Sequence, residues 1–135
     1  MAEAARLTLL AQSAEDLPAL AALLQDATLR TPDIARDVRA RRLVLLLNRY
    51  RWEAAAGSRT RCALRIEGLL GVQQKSWPQS DDAVLNLLSL EWTAPHLTLL
   101  FSDHVALRAE VEALDLIMED LGDPWPTEKR PRHSL

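Results

Sequence analysis

Residues 43–53 read LVLLLNRYRWE, the most apolar run of the chain followed at once by alternating arginine and aromatic residues. A short continuous apolar run bounded by turn residues, here the AAGS that follows, is typical of a buried strand. Successive side chains of a strand point to opposite faces. The alternation therefore places Tyr50 and Trp52 on one face and the charged side chains Arg49, Arg51 and Glu53 on the other.

The next strand, RCALRIE at residues 61–67, alternates in the same way. If the two strands form a hairpin, patterning predicts that Tyr50 and Trp52 share the core face with the apolar side chains of that strand. The charged side chains then gather on the opposite face. Opposite charges across a strand pair are favourable, and this favours a register with Glu53 against Arg65. The pattern over residues 43–70 does not fix the register. The candidate binding residues are Arg49, Arg51, Glu53, Arg61 and Arg65.

The order of the other elements predicts an α+β fold. A strand at residues 6–12 precedes a helix that begins near Asp16, and a second helix is predicted at 112–122, with Gly122 as its stop. Between the helices the strands come in one block, which favours a largely antiparallel curved sheet of six to eight strands. Residues 83–93 fit a strand or a helix. By analogy, a sheet closed by a C-terminal helix resembles the pleckstrin-homology half-barrel.

Length and composition indicate one globular domain. The chain has 135 residues, 48% of them apolar, which suits a single core. We expect the domain to span residues 1–123 and residues 124–135 to form a polar, flexible, proline-rich tail. With one cysteine there is no internal disulfide. No apolar run reaches the roughly 18 residues of a membrane span, and the N-terminus is a poor signal peptide, so we expect a cytoplasmic protein.

Charge is unevenly distributed along the chain. The net charge of −3 argues against a general nucleic-acid binder. Residues 30–65 nevertheless hold ten arginines and three acids, whereas residues 81–123 hold ten acids and one arginine. Such asymmetry can mark a partner surface, or the two segments can face each other and cancel within the fold. The sequence leaves these alternatives open.

No motif predicts a reaction, a metal or a cofactor. The histidines and the cysteine lack the spacing of metal ligands: they are His96, His104, His133 and Cys62. Consecutive residues such as those at 102–104 cannot make the hydrogen bonds of a catalytic triad. Glycine-rich phosphate loops are absent, and Cys62 fits a small buried thiol. Whether the chain is an enzyme stays open, with a non-catalytic role favoured.

Several segments together resemble a known family. In chain order they are LQDATLRTPDI, LVLLLNRYRWE, RCALRIEGLLGVQ, AVLNLLSLEW, LTLLFS and DLGDPW. They are similar to the bacterial family called domain of unknown function 2948, over about residues 7–133. The chain departs from the family at Asp103-His104, where a glycine-rich turn is usual, and near Leu43, where an aromatic residue is usual. The resemblance implies a small stand-alone cytoplasmic protein and no activity, cofactor or catalytic residue.

Two functional hypotheses follow from the residues. The first is a non-catalytic protein-interaction module that binds a protein partner, or itself, through the arginine-rich sheet face. The alternative is a binder of a small anionic ligand or nucleic acid, including one with an enzymatic activity that its motifs do not reveal. RNA-binding modules expose aromatic rings beside their basic residues. The alternation sets Tyr50 and Trp52 apart from the arginines, so nucleic acid is disfavoured.

Overall fold

The structure, a computed structural model, describes residues 6–127 and 131. Within these residues the chain forms one short α-helix and eleven strands. The helix is α1 (Leu17–Leu24). The strands are β1 (Thr8–Ala11), β2 (Thr28–Arg30), β3 (Ile34–Asp37), β4 (Arg42–Tyr50), β5 (Ser58–Glu67), β6 (Leu69–Lys75), β7 (Val84–Thr93), β8 (His96–Phe101), β9 (Ala106–Val111), β10 (Leu116–Asp120) and β11 (Trp125–Pro126).

The strands form a single antiparallel sheet. Its order is β1-β10-β5-β4-β2-β7-β8-β9-β6, with β3 also paired to β4 and β11 also paired to β5. The short strand β2 joins the two halves, because it pairs with β4 on one side and with β7 on the other. Buried side chains from both halves and from α1 belong to one hydrophobic cluster. The sheet therefore wraps around a common core.

The α+β prediction with two helices is wrong, and so is its pleckstrin-homology-like form. The predicted C-terminal helix at 112–122 is instead strand β10, which pairs with β1 and β5. Leu114, Leu116 and Met118 are buried, whereas Leu121 is 42% exposed. This segment carries apolar residues at both strand and helix spacing, and pairing with two distant strands decides between them. The undecided residues 83–93 also form a strand, β7.

The N-terminal helix is present where the sequence predicts it. Asp16 precedes α1, and its Oδ2 accepts hydrogen bonds from the backbone N–H groups of Gln12 (3.0 Å) and Ser13 (3.2 Å). These bonds hold the pKa of Asp16 below its usual value, the Gln12 bond being the largest cause. Leu17, Leu20 and Leu24 are buried, so one face of α1 helps to fill the space inside the sheet.

The predicted division of β4 between core and charged faces is wrong. The register pairs Leu43 with Ile66, Leu45 with Leu64 and Leu47 with Cys62, and all six of these side chains are buried. The odd-numbered residues of β4 therefore face the core. An apolar run that covers both faces of a strand does not reveal which face lies inside. The predicted pairing of Glu53 with Arg65 assumed that the even-numbered residues of β4 face the core.

The C-terminal segment is described only in part. Trp125 pairs with Arg59 and Pro126 with Ser58, and the N–H of Thr127 donates to the carbonyl of Gly57 (3.1 Å). The other residues of the predicted flexible tail, 128–130 and 132–135, lie outside the described residues. Among the residues that are described, no helix has the length and apolar content that crossing a membrane requires.

Candidate functional site

Arg49 is a buried arginine at the junction of three strands. Its side chain is 0% exposed. Its Nε donates to Asp120 Oδ1 (2.8 Å) and its Nη2 to Asp120 Oδ2 (2.9 Å). The same guanidinium donates to both carboxylate oxygens of Glu53, at 3.0 and 2.8 Å. Asp120 Oδ2 also accepts from the backbone N–H of Leu7 (2.9 Å), so this cluster connects β4, β10 and the start of β1.

The pKa values in this cluster favour its charged forms. Burial by itself lowers the pKa of Arg49, but the hydrogen bonds to Asp120 and Glu53 outweigh it and raise that pKa overall. The hydrogen bonds from Arg49 lower the pKa of Glu53. Two carboxylates thus share one buried cation. Of the candidate binding residues, Arg49 makes the most side-chain hydrogen bonds within the fold.

Arg51 and Glu53 belong to the same junction. The Arg51 side chain is 16% exposed, and its Nε lies 3.8 Å from Glu53 Oε2. Its Nη1 donates to Ser58 Oγ (3.1 Å). Arg51 and Glu53 therefore border the buried arginine in the turn after β4, and the structure does not bring them together with Arg61 and Arg65.

Arg61 and Arg65 lie on the side of β1, β10, β5, β4 and β3 that faces away from the core, and we call this part of the sheet surface the outer face. One row crosses five adjacent strands there, and it reads Leu10, Ile117, Arg65, Val44 and Ala35. A second row reads Thr8, Glu119, Ala63 and Leu46, so the aliphatic surface continues on the β4 side of Arg65 and the exposed Glu119 lies diagonal to it on β10. Arg65 is half-buried. It thus stands between Ile117 and Val44 in a largely aliphatic setting.

The two outer-face arginines differ in their partners. The Nη1 of Arg61 donates to Asn48 Oδ1 (3.4 Å), and its Nη2 lies 3.7 Å from Asp33 Oδ1. The side chain of Arg65 makes no hydrogen bond or ion pair with any residue that the structure describes. Arg61 is thus partly neutralised within the fold, and Arg65 is left available.

The basic and acidic segments of the chain meet in part. Arg41 pairs with Glu112, and Arg49 pairs with Asp120. Other arginines of the basic segment use nearby acids instead: Arg42 pairs with Glu67. The charge asymmetry of the sequence is therefore partly cancelled by long-range ion pairs, but Arg65 does not take part.

The aromatic side chains of the opening stretch are engaged in packing. Tyr50 is 7% exposed, and its ring lies edge-on to that of Trp52 with centroids 4.6 Å apart. The guanidinium of Arg59 sits 5.8 Å from the Tyr50 centroid. Trp52 Nε1 donates to the carbonyl of Gln25 (3.0 Å). These rings stabilise the β4–β5 end of the sheet and offer little free surface for stacking a base.

The comparison with protein families assigns the chain. A family model described as "Protein of unknown function (DUF2948)" matches residues 7–133. The chain belongs to the DUF2948 family. No curated protein and no solved structure matches it. The resemblance predicted from the sequence is therefore confirmed, and membership in DUF2948 by itself supplies no activity.

The cysteine of this DUF2948 chain is a core residue, as the sequence predicts. Cys62 is 0% exposed. Burial, followed by the nearby charge of Asp120, raises the pKa of its thiol to about 12. Such a thiol is protonated and inert at neutral pH. Among the described residues, the structure gathers no three histidine, cysteine or acidic side chains that could hold a metal ion.

This DUF2948 chain also has a cavity that its sequence did not predict. A cavity of about 1110 Å³ lies against β8 and β9, on their side that faces away from the core. Its lining combines aliphatic side chains with polar ones, including Leu88, Leu100, Ala106, Lys75, His104 and Arg108. These residues come from four strands, β6 to β9, and from the turn between β8 and β9. Asp120 was also missed, because the predicted helix placed it at a solvated end. If Arg49 had been recognised as facing the core, its charge would have indicated that a buried carboxylate lies beside it.

Proposed function

We propose that the chain is a non-catalytic protein-interaction module whose partner docks on the outer face around Arg65. The observation that carries this proposal is that Arg65 is half-buried and that its side chain has no hydrogen-bonding partner among the described residues. A buried or half-buried cation gains most from a carboxylate that approaches it directly, since charge-assisted hydrogen bonds are stronger than neutral ones.

The surroundings of Arg65 favour a protein as the partner. Ile117 and Val44 flank it, Leu10 is 52% exposed at the end of the row, and Leu46 continues the aliphatic surface. Interface centres typically combine apolar area with arginine and are depleted in lysine and acids. An acidic residue set in an apolar patch of the partner would complement this face. The partner can be another protein or a second copy of the chain. We propose that the two meet in the cytoplasm, the location predicted from the sequence.

An anionic small molecule or nucleic acid on the outer face is the less favoured proposal. The positive charge there is sparse, because Arg61 is already close to Asp33 and Arg65 stands among aliphatic side chains. Binding to RNA would show as retention that weakens steeply as salt is raised. Salt-dependent retention that Arg65→Glu abolishes would support this alternative over the protein partner.

The test is capture of interacting proteins by crosslinking and mass spectrometry, combined with sedimentation equilibrium for self-association. The chain and its Arg65→Glu variant are compared with Arg39→Glu, which changes an exposed arginine in the β3–β4 turn away from the outer face. We expect one reproducible interaction, with another protein or with a second copy, that Arg65→Glu abolishes and Arg39→Glu retains. Equal capture by all three proteins, with equal thermal midpoints, would refute the proposed surface.

A further inference from the structure

The cavity on β8 and β9 has an apolar floor. Leu100 and Ala106 are directly paired neighbours across these two strands, and Leu88 joins them from β7. The register between β7 and β8 shifts between Leu87 and Ser89. Ordinary strand alternation turns Leu87 into the core and leaves Leu88 on the surface, 45% exposed. The irregularity follows Leu88 and shifts the register, so that Leu90 pairs with the buried Leu99. The floor is therefore formed by outward-facing side chains of β7, β8 and β9.

Two cations stand at one side of this floor. Lys75 on β6 pairs with Ala106, and Arg108 on β9 pairs with Gln73. Lys75 and Arg108 are thus diagonal neighbours on adjacent strands, roughly 7–8 Å apart at the backbone and within reach of one ligand group. Arg108 Nη2 donates to Gln73 Oε1. Neither cation forms an ion pair with a residue that the structure describes.

The turn between β8 and β9 brings two further polar side chains to the cavity. Asp103 has φ 60° and His104 has φ 61°, the left-handed region that glycine adopts most easily. Both side chains are exposed and both line the cavity. Glycine at either position would relieve the backbone, so two cavity-lining side chains are kept here at the expense of stability.

We propose that this cavity is a binding site for a small amphiphilic anion. An aliphatic body lies on Leu88, Leu100 and Ala106, and a carboxylate is held between Lys75 and Arg108. The volume of about 1110 Å³ is sufficient for such a molecule, because small-molecule sites are typically about 300–1,000 Å³ and mostly apolar with a few polar groups. The cations exceed the single lining carboxylate of Asp103, which favours an anion. This site is separate from the outer face and does not depend on a protein partner there.

The test uses three probes with the same alkyl chain, decanoate, decanol and decylammonium, each below its micelle concentration. Binding is followed by residue-resolved amide shifts in nuclear magnetic resonance titrations. We expect saturable shifts on β6, β7, β8, β9 and the β8–β9 turn with decanoate, with an affinity at least tenfold above that of decanol and decylammonium. Equal affinities for the three probes, or shifts confined to other parts of the chain, would overturn the site. Decyl phosphate, as a fourth probe, distinguishes a carboxylate-selective site from one that takes any anionic head group.

Variants distinguish a specific binding site from a non-specific apolar surface. The double variant Lys75→Gln with Arg108→Gln is expected to weaken decanoate binding at least tenfold, whereas the matched variant Arg39→Gln leaves it unchanged. Asp103→Gly with His104→Gly is expected to raise the thermal midpoint and to alter decanoate affinity. Unchanged decanoate binding in the double glutamine variant would overturn the proposed role of the cations. Sedimentation that shows a dimer lost in Ala106→Trp would mean that a second copy covers the cavity instead.

Discussion

At the residue scale, Arg49 shows how the opening stretch LVLLLNRYRWE combines core and charge. Its position continues the core-facing series of Leu43, Leu45 and Leu47, so the guanidinium enters the interior. Taking an ion out of water costs several kcal/mol unless partners replace the water. Asp120 and Glu53 supply those partners through four hydrogen bonds. The arginine is therefore tolerated only as part of a complete cluster.

Removing Arg49 should unfold the chain more easily than removing an exposed arginine. Arg49→Met leaves Asp120, 2% exposed, without its counter-charge. We expect the free energy of unfolding at pH 7 to fall by about 3–5 kcal/mol, measured by urea denaturation. The matched control is Arg6→Met, which breaks a pair with exposed fractions of 57% and 86% and should cost less than about 1 kcal/mol. Losses of similar size in the two variants would contradict the buried cluster.

The thiol of Cys62 should be protected until the chain unfolds. Its pKa is raised to about 12 in the fold, whereas a free thiol titrates near 8.5. The folded state thus holds a proton that the unfolded state loses, so the free energy of unfolding should fall as pH rises between these two values. We expect Cys62→Ala to lose less stability between pH 9 and 11 than the parent chain does. A thiol reagent at pH 8 should label the parent chain only in urea, and rapid labelling of the folded chain would contradict this prediction.

At the element scale, local patterns located the strands better than they assigned their faces. The strand that begins near residue 43, the strand at 61–67 and the helix near Asp16 were each predictable from an apolar run or a capping residue, although β4 ends at Tyr50, before the predicted end. The face of β4 was not, because LVLLL is apolar on both faces. Strand β10 was not either, because Leu114, Met118 and Leu121 also match a helical face. Pairing with β1 and β5 decided it, and no local window contains that information.

The strand and helix interpretations of residues 112–122 predict opposite effects for two leucines. In β10, Leu116 is 1% exposed and Leu121 is 42% exposed, whereas the helical face would bury Leu121 and not Leu116. We expect Leu116→Ala to lower the free energy of unfolding by about 2–5 kcal/mol, since it opens a cavity in the core. Leu121→Ala should change it by no more than about 1 kcal/mol. Urea denaturation of both variants tests the order, and a reversed order would restore the helix.

At the scale of the whole molecule, the candidate sites lie on opposite ends of one sheet. The outer face belongs to β1, β10, β5, β4 and β3, and the cavity belongs to β6, β7, β8 and β9. Their inward sides meet in one hydrophobic cluster, and ion pairs such as Arg41–Glu112 connect segments distant in sequence. Neither site emerges from a local motif, because each is assembled by strand pairing.

If the chain is a single domain, as its sequence predicts, the two halves of the sheet should unfold together. Leu64 on β5 and Leu99 on β8 are both 0% exposed and belong to the same core cluster, so a cavity at either site weakens the support of the other half. We expect residue-resolved amide signals of β5 and β9 to disappear at one urea midpoint in the parent chain. Leu64→Ala and Leu99→Ala should each lower the midpoints of both strands equally. A variant that lowers the midpoint of its own half alone would show two units, and the outer face and the cavity would then belong to separately stable parts of the chain.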